Sequence, residues 1–264
     1  MQLKVSKTVD DGYGRTYMEL ANPAQAQEVY EHQRAYWQTR NLPNDGVFPE
    51  DYKAQVISQQ TQDYSQPSHA TLRVLLDSLV DEKTRAGGSD MSIIEIGVAN
   101  GPTLRHFKKF YPDVNLSFVG FEALSFLAED AQTNYPEQKI NIGTVETFLE
   151  STTADLGRDR FDVFLTSLVL CMTIPDVVYP VFRRASEMSD VILCRDYLVN
   201  KGGEISKDRP VLFKMAEGHD HFVFANPFEL MLRSLGFSRI EYIFDEIAYS
   251  QIRGMGTLLA RGTR

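Results

Sequence analysis

The sequence predicts an α/β chain: a doubly wound, mostly parallel sheet with an antiparallel last strand, plus an N-terminal helical cap. Three observations carry this. Beyond the glycine pair of "TRAGGSD" (residues 84–90), five short runs rich in β-branched and aromatic residues alternate with helix-like segments, the texture of a parallel sheet covered on both faces. The chain then closes with two strands in succession, and strands so briefly linked pair antiparallel or not at all. Ahead of the glycines the apolar residues recur with a helical period. The chain accordingly divides into residues 1–90, a cap, and residues 91–264, the sheet domain.

In the cap, Asn22 before Pro23 is an N-cap with proline at the first helical position, opening "PAQAQEVYEHQRAYWQTR". "PEDYKAQVISQQTQDY" carries acids in its first turn, where the helix dipole favours them. "HATLRVLLDSLVDEKTR" places Leu72, Leu75, Leu76 and Leu79 on one stripe. In the sheet domain the strands are "SIIEIG", "LSFVGFE", "KINIG", "FDVFLTSLVL" and "DVILCRDYL". "ALSFLAEDAQTNY" and "VVYPVFRRASE" supply helices between them. "PFELMLRSLGF" is a helix stopped at Gly236, and "RIEYIFDEIAYSQ" and "GMGTLLARG" are the closing pair.

Composition narrows the function classes. With 264 residues the chain suits one full-sized domain with an appended cap. A net charge of −9 argues against a broad phosphate-binding surface and hence against nucleic acid as a partner. No apolar run reaches the ~18–20 residues that span a bilayer, and "MQLKVSKTVDDGYGR" has no secretory apolar core. A cytoplasmic location is expected. Cys171 and Cys194 each sit in an apolar run and read as reduced core residues, too few for a metal ligand set.

Ligands of doubly wound sheets bind outside the carboxyl ends of the strands. The first strand ends in Glu95, Gly97, Ala99, Asn100 and Gly101, with glycines for close backbone approach and a helix N-terminus behind them. Glu122 ends the second strand twenty-one residues after Gly101, with Ala123 next to it. A carboxylate there can accept hydrogen bonds from both hydroxyls of a ribose. Taken singly, the glycine turn can be only a turn and Glu122 only a helix-start acid. Together they favour a nucleotide-type ligand.

In order and spacing, "IIEIGVANG", "FVGFE", "INIGTVETF" and "FDVFLTSLVLCMTIPD" resemble the class I S-adenosylmethionine-dependent methyltransferases, a Rossmann-like family, over roughly residues 92–262. The resemblance implies S-adenosylmethionine as cofactor. It implies that Glu95, Gly97, Ala99, Asn100 and Gly101 cradle the methionine end, Glu122 holds the ribose, Thr144 and Val145 flank the adenine, and Thr166, Ser167 and Leu168 lie beneath the methionine moiety. Three positions depart from the family pattern. Ala99 replaces a glycine, Thr144 stands where an aspartate is frequent, and Cys171 and Met172 replace a frequent histidine pair. Nicotinamide-binding Rossmann proteins fit less well, because G-x-G-x-x-G is absent here.

Methyl transfer needs alignment in a dry pocket, and a base only where the acceptor must lose a proton. Two groups are candidates for acceptor chemistry: Asp196 and Tyr197, beside Arg195 at the fifth strand's end, and His219 and His221, which would share one side of a strand. Asp196 could instead cap the next turn, and "GHDHF" could be a surface turn. His106 is expected on a helix surface. Tyr13, Tyr17, Tyr30, Tyr36, Trp37, Tyr52 and Tyr64 make the cap aromatic, either to wall an acceptor, to pack against the sheet, or to line a homodimer interface. These features point to a small-molecule acceptor. The alternatives are a transfer-RNA methyltransferase, which "CRDYL" and "HFVFANPFELMLRSLGF" faintly resemble, and a non-catalytic scaffold.

Overall fold

Continuous burial along β-strands covered on both faces organises the protein into layers. The computed structural model describes residues 4–10, 16–22, 24–39, 49–60, 63–65, 69–197, 211–214, 222–224, 226–244 and 255–262. Strands β1 (Val5–Asp10) and β2 (Thr16–Leu20) precede helices α1 (Ala24–Thr39), α2 (Glu50–Gln60) and α3 (Ala70–Arg85). There follow β3 (Asp90–Ile96), α4 (Pro102–Phe110), β4 (Asn115–Glu122), α5 (Ser125–Asn134), β5 (Lys139–Ile142), α6 (Val145–Glu150), α7 (Thr153–Leu156) and β6 (Val163–Ser167). After a 3-10 turn at Leu170–Met172 come α8 (Pro175–Met188), β7 (Val191–Tyr197), β8 (Val211–Lys214), β9 (Phe222–Phe224), α9 (Phe228–Ser234), β10 (Phe237–Phe244) and β11 (Met255–Gly262).

The larger sheet has the order β10-β11-β7-β6-β3-β4-β5. Strands β3 to β7 pair in parallel, and β11 alone runs antiparallel to both its neighbours, as expected for the last strand. The chain starts this sheet in its middle, at β3, and winds outward both ways, which leaves a crevice beside the carboxyl end of β3. One face of the sheet, with Ile94, Ile96, Phe164, Ile192 and Leu258, packs on α6, α8 and α9. The other, with Ile93, Leu165, Leu193 and Leu259, packs on α3, α4 and α5. Within α8 the buried Val178, Val181, Phe182 and Ala185 recur at helical spacing and form its sheet-facing stripe.

Two expectations need correction. The segment before residue 90 is not wholly helical, because β1 and β2 form an antiparallel pair and β2 continues into β8 and β9 as a second, four-stranded sheet. Pairing between β2 and β8 joins Met18 to Leu212, a separation no local pattern can signal. The boundary at residue 90 also runs through packed structure: Leu72, Leu75, Leu76 and Leu79 of α3 lie in the core of the larger sheet. Helices α1 and α2 contribute none of their described residues to that core. Leu20, Leu212 and Phe224 of the second sheet pack on Val29 and Tyr30 of α1 and on Ile174 before α8. No helix among the described residues is long and apolar enough to cross a membrane.

Candidate functional site

A cavity of about 670 Å³ opens at the carboxyl edge of the larger sheet, within the size range of small-molecule sites. Its floor is the turn after β3. Gly97 and Gly101 adopt φ of +83° and +88°, and Ala99 adopts +48°. This left-handed backbone is open to glycine and costs alanine on the order of 1 kcal/mol. It turns the Ala99 N–H toward Glu122, whose Oε2 accepts it at 2.8 Å. Glu122 Oε1 accepts the Leu124 N–H at 2.9 Å. A Cβ on Gly97 would collide with the side chain of Val169, so packing as well as φ demands glycine there.

Glu95 is buried, with 2% exposure, and still lines the cavity. The Thr103 hydroxyl bonds its carboxyl group, but Oε2 has no hydrogen-bond partner. Burial pushes its pKa up to about 8, with the nearby Glu122 adding to the rise. Burial also raises Glu122, against the backbone N–H bonds it accepts. A buried carboxyl oxygen without a hydrogen-bond partner is costly, and a polar group entering the cavity would relieve that cost. Thr103 also shares a 2.6 Å hydrogen bond with the Tyr64 hydroxyl, tying the segment before α3 to this turn.

Above the floor, α1 leans over the start of α6. The Thr144 hydroxyl donates to Glu146 Oε2 at 2.6 Å, the Tyr30 hydroxyl bonds Glu146 Oε1, and Arg34 lies 3.8 Å from the same oxygen. Burial would raise the Glu146 pKa, but the bonds from Thr144 and Tyr30 outweigh it and leave it lowered. Burial and the Glu146 contact hold the Tyr30 phenol well above its ordinary range. Along the remaining wall, Leu168 adopts φ +57° and keeps 36% exposure. With Ala99 it is one of two non-glycine left-handed residues among those described, and both line the cavity. Such strain clusters at ligand sites.

The cavity brings together Glu95, Gly97, Ala99, Glu122, Ala123, Thr144, Val145, Ser167, Leu168 and Tyr197 of the expected residues. Three others do not line it. Asn100 is buried and bonds Arg105 through Oδ1 at 2.7 Å. Gly101 shapes the turn from below, and the Thr166 hydroxyl is buried in β6 without a partner. Asp196 is also absent from the wall. Its Oδ2 accepts the Cys171 N–H at 3.0 Å and its Oδ1 the Tyr197 N–H at 2.7 Å, so it ties the end of β7 to the turn after β6. Burial pushes its pKa up to about 6. His219 and His221 lie outside the described residues, as do Tyr13 and the side chains of Tyr17, Tyr36 and Trp37.

His106 is not on a helix surface. It is fully buried, with Nε2 2.8 Å from Asp77 Oδ1. Both cysteines are buried and free, although Cys171 also reaches the cavity wall. No group of three potential metal ligands occurs among the described residues. Sequence reasoning missed Arg34, His69 and Glu146 as lining residues. His69 opens the helix "HATLRV", and only the placement of that helix beside the sheet end brings it to the cavity.

No protein-family model matches the chain, and no curated protein matches it by sequence. Solved structures share its fold. Magnesium protoporphyrin IX methyltransferase from Synechocystis PCC 6803, solved with bound SAM, superposes with a TM-score of 0.53 at 10% identity, covering 89% of this chain and 97% of its own. The CurJ carbon methyltransferase gives 0.56 at 12% identity, over 94% and 73% of the two chains. CalS10, an amino pentose methyltransferase from Micromonospora echinaspora, gives 0.51 at 11% identity, over 82% and 98%.

Proposed function

We propose that this chain, which carries the class I S-adenosylmethionine-dependent methyltransferase fold, is an enzyme that transfers a methyl group from S-adenosylmethionine to a small-molecule acceptor. One observation carries the reading: the buried Glu95 carboxyl group keeps an oxygen without a hydrogen-bond partner on the wall of a cavity whose glycine turn lies at the centre of the sheet.

The residues fit the cofactor. Glu95 Oε2 would accept from the amino group of the methionine portion. Gly97 leaves backbone, not side chain, at the closest approach. Each oxygen of Glu122 accepts one backbone N–H and retains a lone pair for a ribose hydroxyl. Leu124, Leu127 and Val145 give an apolar slot suited to a purine. Thr144 has already committed its proton to Glu146, so the pair Thr144–Glu146 offers acceptor oxygens where the family more often has an aspartate. When bound, the sulfonium supplies an electrophilic methyl carbon. The chain contributes alignment and exclusion of water, which suffice for an acceptor that carries no proton at its nucleophilic atom.

Isothermal titration with S-adenosylmethionine, S-adenosylhomocysteine and NAD in parallel tests the reading. Micromolar binding of the two adenosyl compounds and none of NAD is the expected result. Binding of NAD alone would overturn it.

A further inference from the structure

We propose that His69 is the acceptor-side general base and that the acceptor is an aromatic compound methylated on a hydroxyl oxygen, an inference that rests on the methyltransferase reading. Its position follows from two anchors. Two residues after His69, the Thr71 hydroxyl lies 2.8 Å from that of Thr257, and Thr257 pairs in register with Arg195 near the end of β7. Five residues before it, Tyr64 bonds Thr103 beside Glu95. His69 is therefore held between the turn after β3 and the end of β7. It lines the cavity there with its ring 5.5 Å from that of Tyr64. Among the described lining residues it is the only imidazole. It also sits at the N-cap of α3.

The cavity walls indicate what the ring would act on. Tyr30, Tyr64 and Tyr197 present aromatic surface, and Leu168 and Met172 add apolar surface. Flat aromatic and apolar surfaces of this kind suit an aromatic guest. Arg34 is faced by Glu146 and Glu31. In the step, the hydroxyl proton of the acceptor passes to a ring nitrogen of His69 while the oxygen's electron pair bonds to the methyl carbon. The carbon–sulfur pair stays with sulfur, and the positive charge once on the sulfonium ends on the imidazolium, which loses its proton to water.

The test uses the full chain saturated with S-adenosylhomocysteine and 4-nitrophenol as the acceptor probe, read by its visible phenolate absorbance across pH. At a given pH the bound phenolate-to-phenol ratio should be about tenfold higher in the wild type than in His69→Gln, with S-adenosylhomocysteine affinity unchanged. Methylation of a phenol panel should fall about a hundredfold in kcat in the variant. The His69 side chain does not cap α3, so Gln removes no cap bond. His69→Asn, a favoured N-cap residue, serves if the Gln variant does not fold. Equal ratios in wild type and variant, or no probe binding to the loaded wild type, would overturn the inference and leave the methyltransferase reading intact. Failure to bind S-adenosylhomocysteine would overturn both.

Discussion

Glu95 sits between two opposing demands, since burial disfavours its charge while the cavity needs an acceptor. Its folded-state pKa of about 8 stands above the ordinary 4.5, so the folded chain holds the proton more tightly than the unfolded one. Its stabilising contribution is complete below about pH 4.5 and is lost as pH rises through about 8. Glu95→Gln abolishes this loss. Its stability relative to wild type should rise between those limits, by a few kcal/mol at most, as read from urea unfolding at a series of pH values. A pH-independent difference would show that Glu95 is ionised throughout. Glu122 differs in being held by two backbone N–H groups of the site itself. Glu122→Ala should weaken S-adenosylmethionine binding about tenfold or more and keep a cooperative thermal transition, which titration and calorimetry measure together. Gly97→Ala places a methyl group against Val169 at positive φ. It should lower stability by about 1–3 kcal/mol and bind the cofactor more weakly. The placement of Glu95, Gly97 and Glu122 at strand ends was legible in the sequence, because their spacing follows the strands. Asp196 was legible only as a strand-end acid, and what it bonds depended on where the turn after β6 folds back.

Contacts between elements distant in the chain build the walls of the cavity. Tyr30, from α1, and Glu146, from α6, are 116 positions apart and hydrogen-bonded, and each lines the cavity. Tyr30→Phe keeps the ring and removes only that bond. It should raise the Kd for S-adenosylmethionine about three- to tenfold and speed hydrogen exchange in α1. Unchanged exchange would mean that apolar packing on Ile174 and Phe224 alone holds the helix. Strands β3, β4, β5, β7 and β11 and helices α1, α3, α5 and α8 were readable within a residue or two, since each has its own periodicity, whereas "FDVFLTSLVL" and "RIEYIFDEIAYSQ" ran past the ends of β6 and β10. Strands β1 and β2 were not. Their order depends on β8, about 190 residues away, and short polar-rich runs carry no signal of their own until a partner satisfies their backbone.

Across the whole molecule, the second sheet reaches the cavity through two clusters among the described residues: Val223 packs with the lining Cys171 and Tyr197, and Leu20, Leu212 and Phe224 pack with the lining Tyr30. Leu20 is fully buried with Tyr30, Leu212 and Phe224, but it does not line the cavity. Leu20→Ala should cost about 2–4 kcal/mol of stability. By loosening Tyr30 it should also weaken cofactor binding without altering any lining residue, which titration well below the melting temperature can detect. Unaltered affinity would separate the Leu20 cluster from the site and leave Val223 as the second sheet's contact with it. The sequence by itself determined the layered α/β plan, the antiparallel last strand and the acid–glycine turn, because periodicity, strand-end chemistry and close backbone approach are local properties. Only the tertiary structure decided that α3 belongs to the larger sheet, that His106 is buried, and that His69, Arg34 and Glu146 meet at one cavity. Those outcomes depend on which apolar faces find each other, and that is settled by burial summed over the whole chain.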